Sequence, residues 1–384
     1  MNPKAMKKQI NIGIIGTQFM GKAHSNAYRQ VSPFFDISVE PYLHTACGRN
    51  KEALKEFSQK FGWRHTETNW EKVIKDENID IVDISTPNDM HKPIVIAAAQ
   101  ADKHILCEKP FALDFEEAKE MYLEAKEAGL IHMMVFNYRF VPAILLAKQM
   151  IEEGKIGKIH HFNAVYYQDW LVDPEFPLTW RQDAKASGSG AHGDMNAHLV
   201  DLARFLVGEF AAVCGLQNIF VKERPNASGK GRGPVTTDDA CSFQAEFENG
   251  ALGSFISTRY ANGRKNFLRL EIFGSKGSLI FNLERMNELE YFSGEEDPNY
   301  QGFRNMLVTE SHQPYIKAWW PPGHIIGWEH TFVHLVKTLV EGVAEGKAVK
   351  PDFYDGLKCQ QVLDAVVESA KKKIWIDIEN GLKL

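Results

Sequence analysis

The chain has 384 residues, of which 44% are hydrophobic and 24% charged, with a formal net charge of -6. That length predicts two domains and a core large enough to need no covalent staple. The net acidity counts against nucleic acid as the main partner, and no stretch approaches the ~20 apolar residues of a membrane span. The apolar run from Ile10 to Ile15 is too short for a secretion signal. Five cysteines, Cys47, Cys107, Cys214, Cys241 and Cys359, stand far apart with no CxxC pair. They predict neither a disulfide framework nor a zinc ribbon and fit a reducing, cytoplasmic setting. His160, His161 and His312 have no partners at ligand spacing, so no metal is expected.

In chain order, Ile10–Ile15 reads as a buried strand, Met20–Val31 as a helix, and Leu43–Cys47 as a second strand. Lys51–Phe61 is a helix closed by Gly62, Ile79–Ser85 a strand, and Lys92–Ala101 a helix. His104–Cys107 is a short strand, Asp114 caps a helix over Phe115–Ala128, and Ile131–Phe136 is another strand. Short connections between alternating strands and helices predict a parallel, doubly wound sheet. The pattern then changes. Ala143–Glu153 is helical, and Ile159–Gln168 reads as a strand. A Gly/Ser loop at Ser187–Gly190 leads to an amphipathic helix from Asp194 to Leu206. Asn226–Pro234 reads as a mobile loop. Ala240–Phe247 and Ala251–Arg259 meet across Asn249-Gly250, a hairpin signal; Phe267–Phe273 and Leu279–Asn282 follow. Helices around Glu329–Glu345 and Gly356–Ser369 close the chain. This half is α+β with a mainly antiparallel sheet. The domain break falls near Asn137–Val141, giving residues 1–138 and 139–384.

The first strand–helix turn reads Gly16-Thr17-Gln18-Phe19-Met20-Gly21. Such a turn presents backbone amides to a pyrophosphate at a helix N-terminus. Gly16 and Gly21 match the first and third glycines of the dinucleotide fingerprint, but Gln18 occupies the middle one. Further polar loops follow the strands: Ser85-Thr86-Pro87-Asn88, Glu108-Lys109-Pro110 and Asn137-Tyr138-Arg139. Strand C-termini are where open sheets bind ligands. The second strand ends Cys47-Gly48-Arg49-Asn50, without the acid that binds the ribose 2′-OH of NAD. Arg49 suits adenine stacking or a 2′-phosphate, so NAD and NADP both stay open.

Lys109 is held between Glu108 and Pro110, and Asp194 and His198 lie four apart, on one helix face. Oxidising an alcohol needs a base for the hydroxyl proton, and histidine titrates in the right range. A lysine ammonium stabilises developing alkoxide charge, while Asp194 binds a neighbouring hydroxyl or orients the histidine. His192 is the competing base, disfavoured by register. Aromatic platforms beside polar groups suit pyranose rings; the candidates are Tyr138, Arg139, Tyr167, Asp169, Trp170, Trp180, Arg181 and His324.

The segments GIIGTQFMGKAH, STPNDMH, CEKPFALD and GSGAHGDMNAHLVDLARFLVG resemble the glucose-fructose oxidoreductase/inositol dehydrogenase (Gfo/Idh/MocA) family. The resemblance implies a Rossmann domain followed by a substrate domain with a large open antiparallel sheet. It implies NAD or NADP as cofactor, a sugar or polyol substrate, and a homodimer or homotetramer formed through the open sheet. The family's catalytic lysine, aspartate and histidine fall on Lys109, Asp194 and His198. Cofactor contacts fall on Gly16, Thr17, Gln18, Phe19, Met20, Arg49, Ser85, Thr86, Pro87, Asn88, His91, Glu108, Lys109 and Asn137. GHIIGWEHTF and PDFYDGL resemble the levoglucosan dehydrogenase branch. The expected reaction is hydride transfer between a secondary alcohol and nicotinamide. A redox-assisted lyase or glycosidase with tightly held NAD is an alternative. A dinucleotide sensor is another, but it has no use for a proton-handling set.

Overall fold

The computed structural model describes residues 7–381. The chain divides into two compact units, and they are not contiguous. Among the described residues, the first comprises 7–112, Glu116–Phe140 and Ile326–Leu357; the second comprises Leu113–Phe115, Val141–Ile325 and 358–381. A single break after residue 138 does not anticipate the return of Ile326–Leu357 to the first unit. That return has a physical reason: Phe332 of the late segment packs on His24, and Asn137 donates to Thr331 Oγ1 at 2.9 Å.

The first unit holds β1 (Lys8–Ile15), α1 (Phe19–Phe34), β2 (Val39–Cys47), α2 (Lys51–Phe61), β3 (His65–Glu67) and α3 (Trp70–Lys75). Next come β4 (Ile81–Ile84), α4 (His91–Gln100), β5 (His104–Cys107), α5 (Phe115–Glu127) and β6 (His132–Met134). The six strands run parallel in the order β3-β2-β1-β4-β5-β6. All of β4 is buried, as expected of a strand covered on both faces. The order reverses at β1/β4, so the turns after these two strands flank the switch point where such sheets bind ligands. Short β3 and α3 escape pattern reading because each is too brief to show a period. Asn50 and Asn69 cap α2 and α3.

The second unit holds α6 (Pro142–Glu152), β7 (Ile159–Tyr167), a one-turn α7 (Ala184–Ser187) and α8 (Ala197–Leu206). Strands β8 (Phe210–Asn218), β9 (Glu223–Pro225), β10 (Arg232–Pro234), β11 (Ala240–Phe247) and β12 (Leu252–Thr258) follow. Then come β13 (Phe267–Gly274), β14 (Gly277–Asn282), β15 (Glu288–Ser293) and β16 (Arg304–Leu307). The chain closes with α9 (Trp328–Glu345) in the first unit, α10 (Phe353–Lys372) and β17 (Ile376–Asp377). Nine strands form one sheet, β16-β15-β14-β13-β7-β12-β11-β8-β17, antiparallel except for β7/β12. Its inner face is aromatic: Phe243 stacks on Phe255 at 4.3 Å, with Phe162, Phe210 and Phe247 around them. Its outer face carries Leu216 and Ile256, aligned in register through Ser242. The stretch expected as a mobile loop, Asn226–Pro234, is instead the turn and second strand of the β9/β10 ribbon. Asn226 Nδ2 donates to the Lys230 carbonyl and Arg232 to the Glu223 carbonyl, which ties the glycine-rich turn shut.

Candidate functional site

The glycine turn at the end of β1 is tightly built. Gly16 sits at φ +113, and a Cβ there would lie 2.4 Å from the Ser85 carbonyl oxygen. A Cβ on Gly21 would lie 2.2 Å from the Gly16 oxygen. Both glycines are therefore required by close backbone approach. Gln18 is different: at φ -82 it is in ordinary L-residue space, and its side chain is exposed. The middle position of this turn needs no glycine. No side chain caps the N-terminus of α1 and no acid stands in its first turn, which suits an anionic pyrophosphate. Thr86 Oγ1, at the end of β4, is buried without a hydrogen-bond partner. An orphaned hydroxyl beside the switch point is what an absent ligand leaves behind. These residues fit a dinucleotide.

Other expected cofactor residues divide by what they touch. Ser85 Oγ donates to the Gly16 carbonyl at 3.0 Å. His91 is fully buried, with Nδ1 shared between the carbonyls of Pro110 and Phe111 and Nε2 3.3 Å from that of Thr86. Burial holds its pKa below the ordinary value. It braces the Ser85–Asn88 and Lys109–Phe111 loops against each other. Asn88 and Pro87 lie in that same loop, Asn88 buried. Arg49 and Phe19 are exposed, and the Phe19 ring stacks on Trp328 at 5.4 Å. Asn50 accepts from the amides of Glu52 and Ala53, so its side chain is committed to α2. Arg139 reaches Asp355 at 3.2 Å, and Tyr138 and Asn137 are buried beside it in the first unit.

A network that the sequence pattern did not expose underlies Glu108. His24, in α1, donates from Nδ1 to Asp83 at 2.8 Å and from Nε2 to Glu108 at 3.1 Å. Tyr28 donates to the same Asp83, and the Lys109 amide donates to Glu108 Oε2 at 3.0 Å. Burial alone would depress the His24 pKa, but the carboxylates of Asp83 and Glu108 more than reverse this and raise it to about 10. One residue marks it in the sequence: Asp83 is an acid in the middle of a strand buried on both faces.

In the second unit, Asp194 lies in a π-helical turn, His192–Asn196, that leads directly into α8. The expected regular helix from Asp194 is thus wound more widely over its first turn, a feature enriched at functional sites. His198 is buried and its ring faces Tyr166 at 6.1 Å. His192 is excluded as base by its contacts. Its Nε2 donates to the Leu363 carbonyl, its Nδ1 accepts from Asn196, and burial lowers its pKa. Asp194 pairs with Arg259 at 2.7 Å. Arg259 is 1% exposed, lies over the Trp170 ring at 5.1 Å, and leaves Nε and Nη1 without partners. Sequence reading passed over Arg259 because nothing in a strand pattern distinguishes it from a solvated strand end. Trp170 donates to Gln168, Asp169 accepts from Lys265, and Tyr167 stacks on Phe267. Arg181 covers the Trp180 ring at 4.5 Å, while His324 is exposed with its Nδ1 2.9 Å from the Pro321 carbonyl.

Residues 10–136 match the model of an oxidoreductase family with an NAD-binding Rossmann fold, and residues 144–280 match the GFO/IDH/MocA C-terminal domain. The chain belongs to the GFO/IDH/MocA oxidoreductase family. Proteins similar to it include a levoglucosan dehydrogenase from Pseudarthrobacter phenanthrenivorans, 42% identical over 97% of this chain and 98% of that one. A myo-inositol 2-dehydrogenase from Thermotoga maritima is 28% identical over 71% of this chain and 75% of its own. Among solved structures, an oxidoreductase domain protein from Kribbella flavida superposes with a TM-score of 0.94, at 48% identity, covering 97% of this chain and 100% of that one. A levoglucosan dehydrogenase in complex with NADH and levoglucosan gives the same TM-score of 0.94, at 42% identity, with 97% and 100% coverage. The parallel Rossmann sheet and the large, mostly antiparallel sheet expected from the sequence are both present. Among the described residues, no helix is long and apolar enough to cross a membrane.

Proposed function

We propose that this enzyme oxidises a secondary hydroxyl of an anhydrosugar or related pyranose with NAD, levoglucosan being the first substrate to test. The 42% identity to a levoglucosan dehydrogenase along nearly the whole of both chains carries this reading. The dinucleotide is assigned to the Gly16–Gly21 turn and the loops after β4 and β5, and when bound it supplies the hydride acceptor. His198 takes the hydroxyl proton, the Lys109 ammonium stabilises the oxygen as charge develops, and Asp194 accepts from a neighbouring hydroxyl. Arg259 keeps Asp194 oriented for that contact. NAD is favoured over NADP because the related structures hold NADH. Residues 1–138 are assigned cofactor binding, together with Ile326–Leu357, which packs in the same unit, and the rest of 139–384 substrate binding and assembly. A homodimer or homotetramer through the outer sheet face is supported by Leu216 and Ile256, exposed at 67% and 39%. Five free thiols, four of them buried, suit a cytoplasmic enzyme.

The test is NADH formation with levoglucosan, glucose, glucose 6-phosphate and myo-inositol, each with NAD and NADP. Steady NADH release with an anhydrosugar is the expected result. Substrate breakdown without net NADH would point to a redox-assisted lyase, and silence across the panel to a sensor.

A further inference from the structure

We propose that His24 is a positioning residue that sets Lys109 through Glu108. This rests on the assignment of Lys109 to catalysis. The geometry is one continuous chain of hydrogen bonds. Tyr28 and His24 hold Asp83; His24 also holds Glu108 Oε1; Glu108 Oε2 takes the backbone N–H of Lys109. All four side chains are buried, with His24 at 1%, Asp83 at 0%, Glu108 at 4% and Tyr28 at 2% exposure. Two buried carboxylates in a strand end and a strand centre are untenable without a cation and hydrogen bonds. His24 touches both. It also fixes their orientation, because an imidazolium offers two N–H donors on opposite sides of a rigid ring. Phe332 lies against that ring at 5.5 Å and holds its plane. A network serving stability alone could end at Glu108. Here its last hydrogen bond goes to the amide of the lysine, so a tilt of Glu108 displaces the Lys109 main chain and the side chain it carries.

The two ring nitrogens can be removed separately. In His24→Asn the amide nitrogen replaces Nδ1 and keeps Asp83; in His24→Gln it replaces Nε2 and keeps Glu108. Glu108→Asp keeps the charge but withdraws the carboxylate from the Lys109 amide. Two readouts are taken. One is the carbon-13 NMR signal of Lys109 after reductive methylation, identified with Lys109→Arg. The other is kcat and KM on levoglucosan, with melting curves as a control. H24N and E108D are expected to shift the Lys109 signal and lower kcat by about 10- to 100-fold, the scale of small misplacements of a reacting group, with KM little changed. H24Q is expected to keep the wild-type signal and to stay within about threefold of wild-type kcat. If H24N does not fold, H24Q and E108D decide the matter. An unmoved Lys109 signal in E108D, or an equal loss in H24Q and H24N, would overturn the proposal. If Lys109→Ala retains full turnover, the catalytic assignment of Lys109 fails instead, and the NMR signal still reports on His24.

Discussion

Removal of the Arg259 guanidinium is the sharpest probe of the π-helical turn. Arg259→Met keeps the length and apolar stem and deletes the charge facing Asp194 at 2.7 Å. Breaking a fully buried ion pair costs about 3–5 kcal/mol, and an exposed one about 0.2–1 kcal/mol. Here the arginine side chain is 2% exposed and the aspartate 30%, which places the pair between these limits. Two guanidinium nitrogens also lack partners, so the substitution relieves some desolvation. The net stability loss is then about 1–2 kcal/mol, a fall in melting temperature of a few degrees. The catalytic loss is larger, because a charge-assisted hydrogen bond worth about 1.5–3 kcal/mol no longer orients Asp194, and each 1.36 kcal/mol is tenfold in rate. On the best substrate of the NADH assay, kcat/KM should fall about 10- to 100-fold, with Arg259→Lys between Met and wild type. A Met variant that melts lower yet turns over like wild type would refute the link between Arg259 and Asp194 chemistry.

Four other outcomes follow from the structure. Gly16→Ala must accept a left-handed φ of +113 and a Cβ 2.4 Å from the Ser85 oxygen, so it should lose about 1–3 kcal/mol of stability and most NADH affinity, read by melting and fluorescence titration. His334 is buried and its pKa is pushed down to about 3, mainly by burial, so the unfolded chain takes its proton first as pH falls. Stability should therefore decline from about pH 6.5 toward about pH 3, and His334→Asn, which keeps a donor for the Phe140 carbonyl, should flatten that slope in denaturant titrations. His24 acts in the opposite sense, stabilising fully below about pH 6.5 and fading as pH climbs toward about 10. Finally, Leu216→Lys with Ile256→Lys places two charges in register on the outer face and should yield monomers by light scattering with an unchanged circular dichroism spectrum. An undiminished particle mass would disprove assembly through that face.

The parallel sheet was legible because its strands are apolar runs and because Gly16 and Gly62, both at positive φ, mark where a strand turns and where a helix ends. The hairpin at Asn249-Gly250 was legible for the same reason. What escaped were features set by partners remote in sequence. Ile326–Leu357 returns to the first unit through contacts with Asn137 and His24, which no local pattern records. Arg259 finds Asp194 across 65 residues, and His24 finds Glu108 across 84. The π turn was invisible because His192–Asn196 has the composition of an ordinary helix start. The ribbon at Asn226–Pro234 was misread because glycine content reports permissive backbone, and permissive backbone also closes tight turns.

A π turn is equivalent to one residue added to an α-helix without breaking it. Deleting Met195 would return His192–Asn196 to α-helical winding and swing what precedes it by about 100° around the axis of α8. Asp194 would leave Arg259 while Asp194, His198 and Arg259 all stayed in the sequence. Scanning substitutions preserve chain length and cannot detect such a dependence; single-residue deletions can. For this helix the number of residues, as much as their identity, decides whether Asp194 faces Arg259.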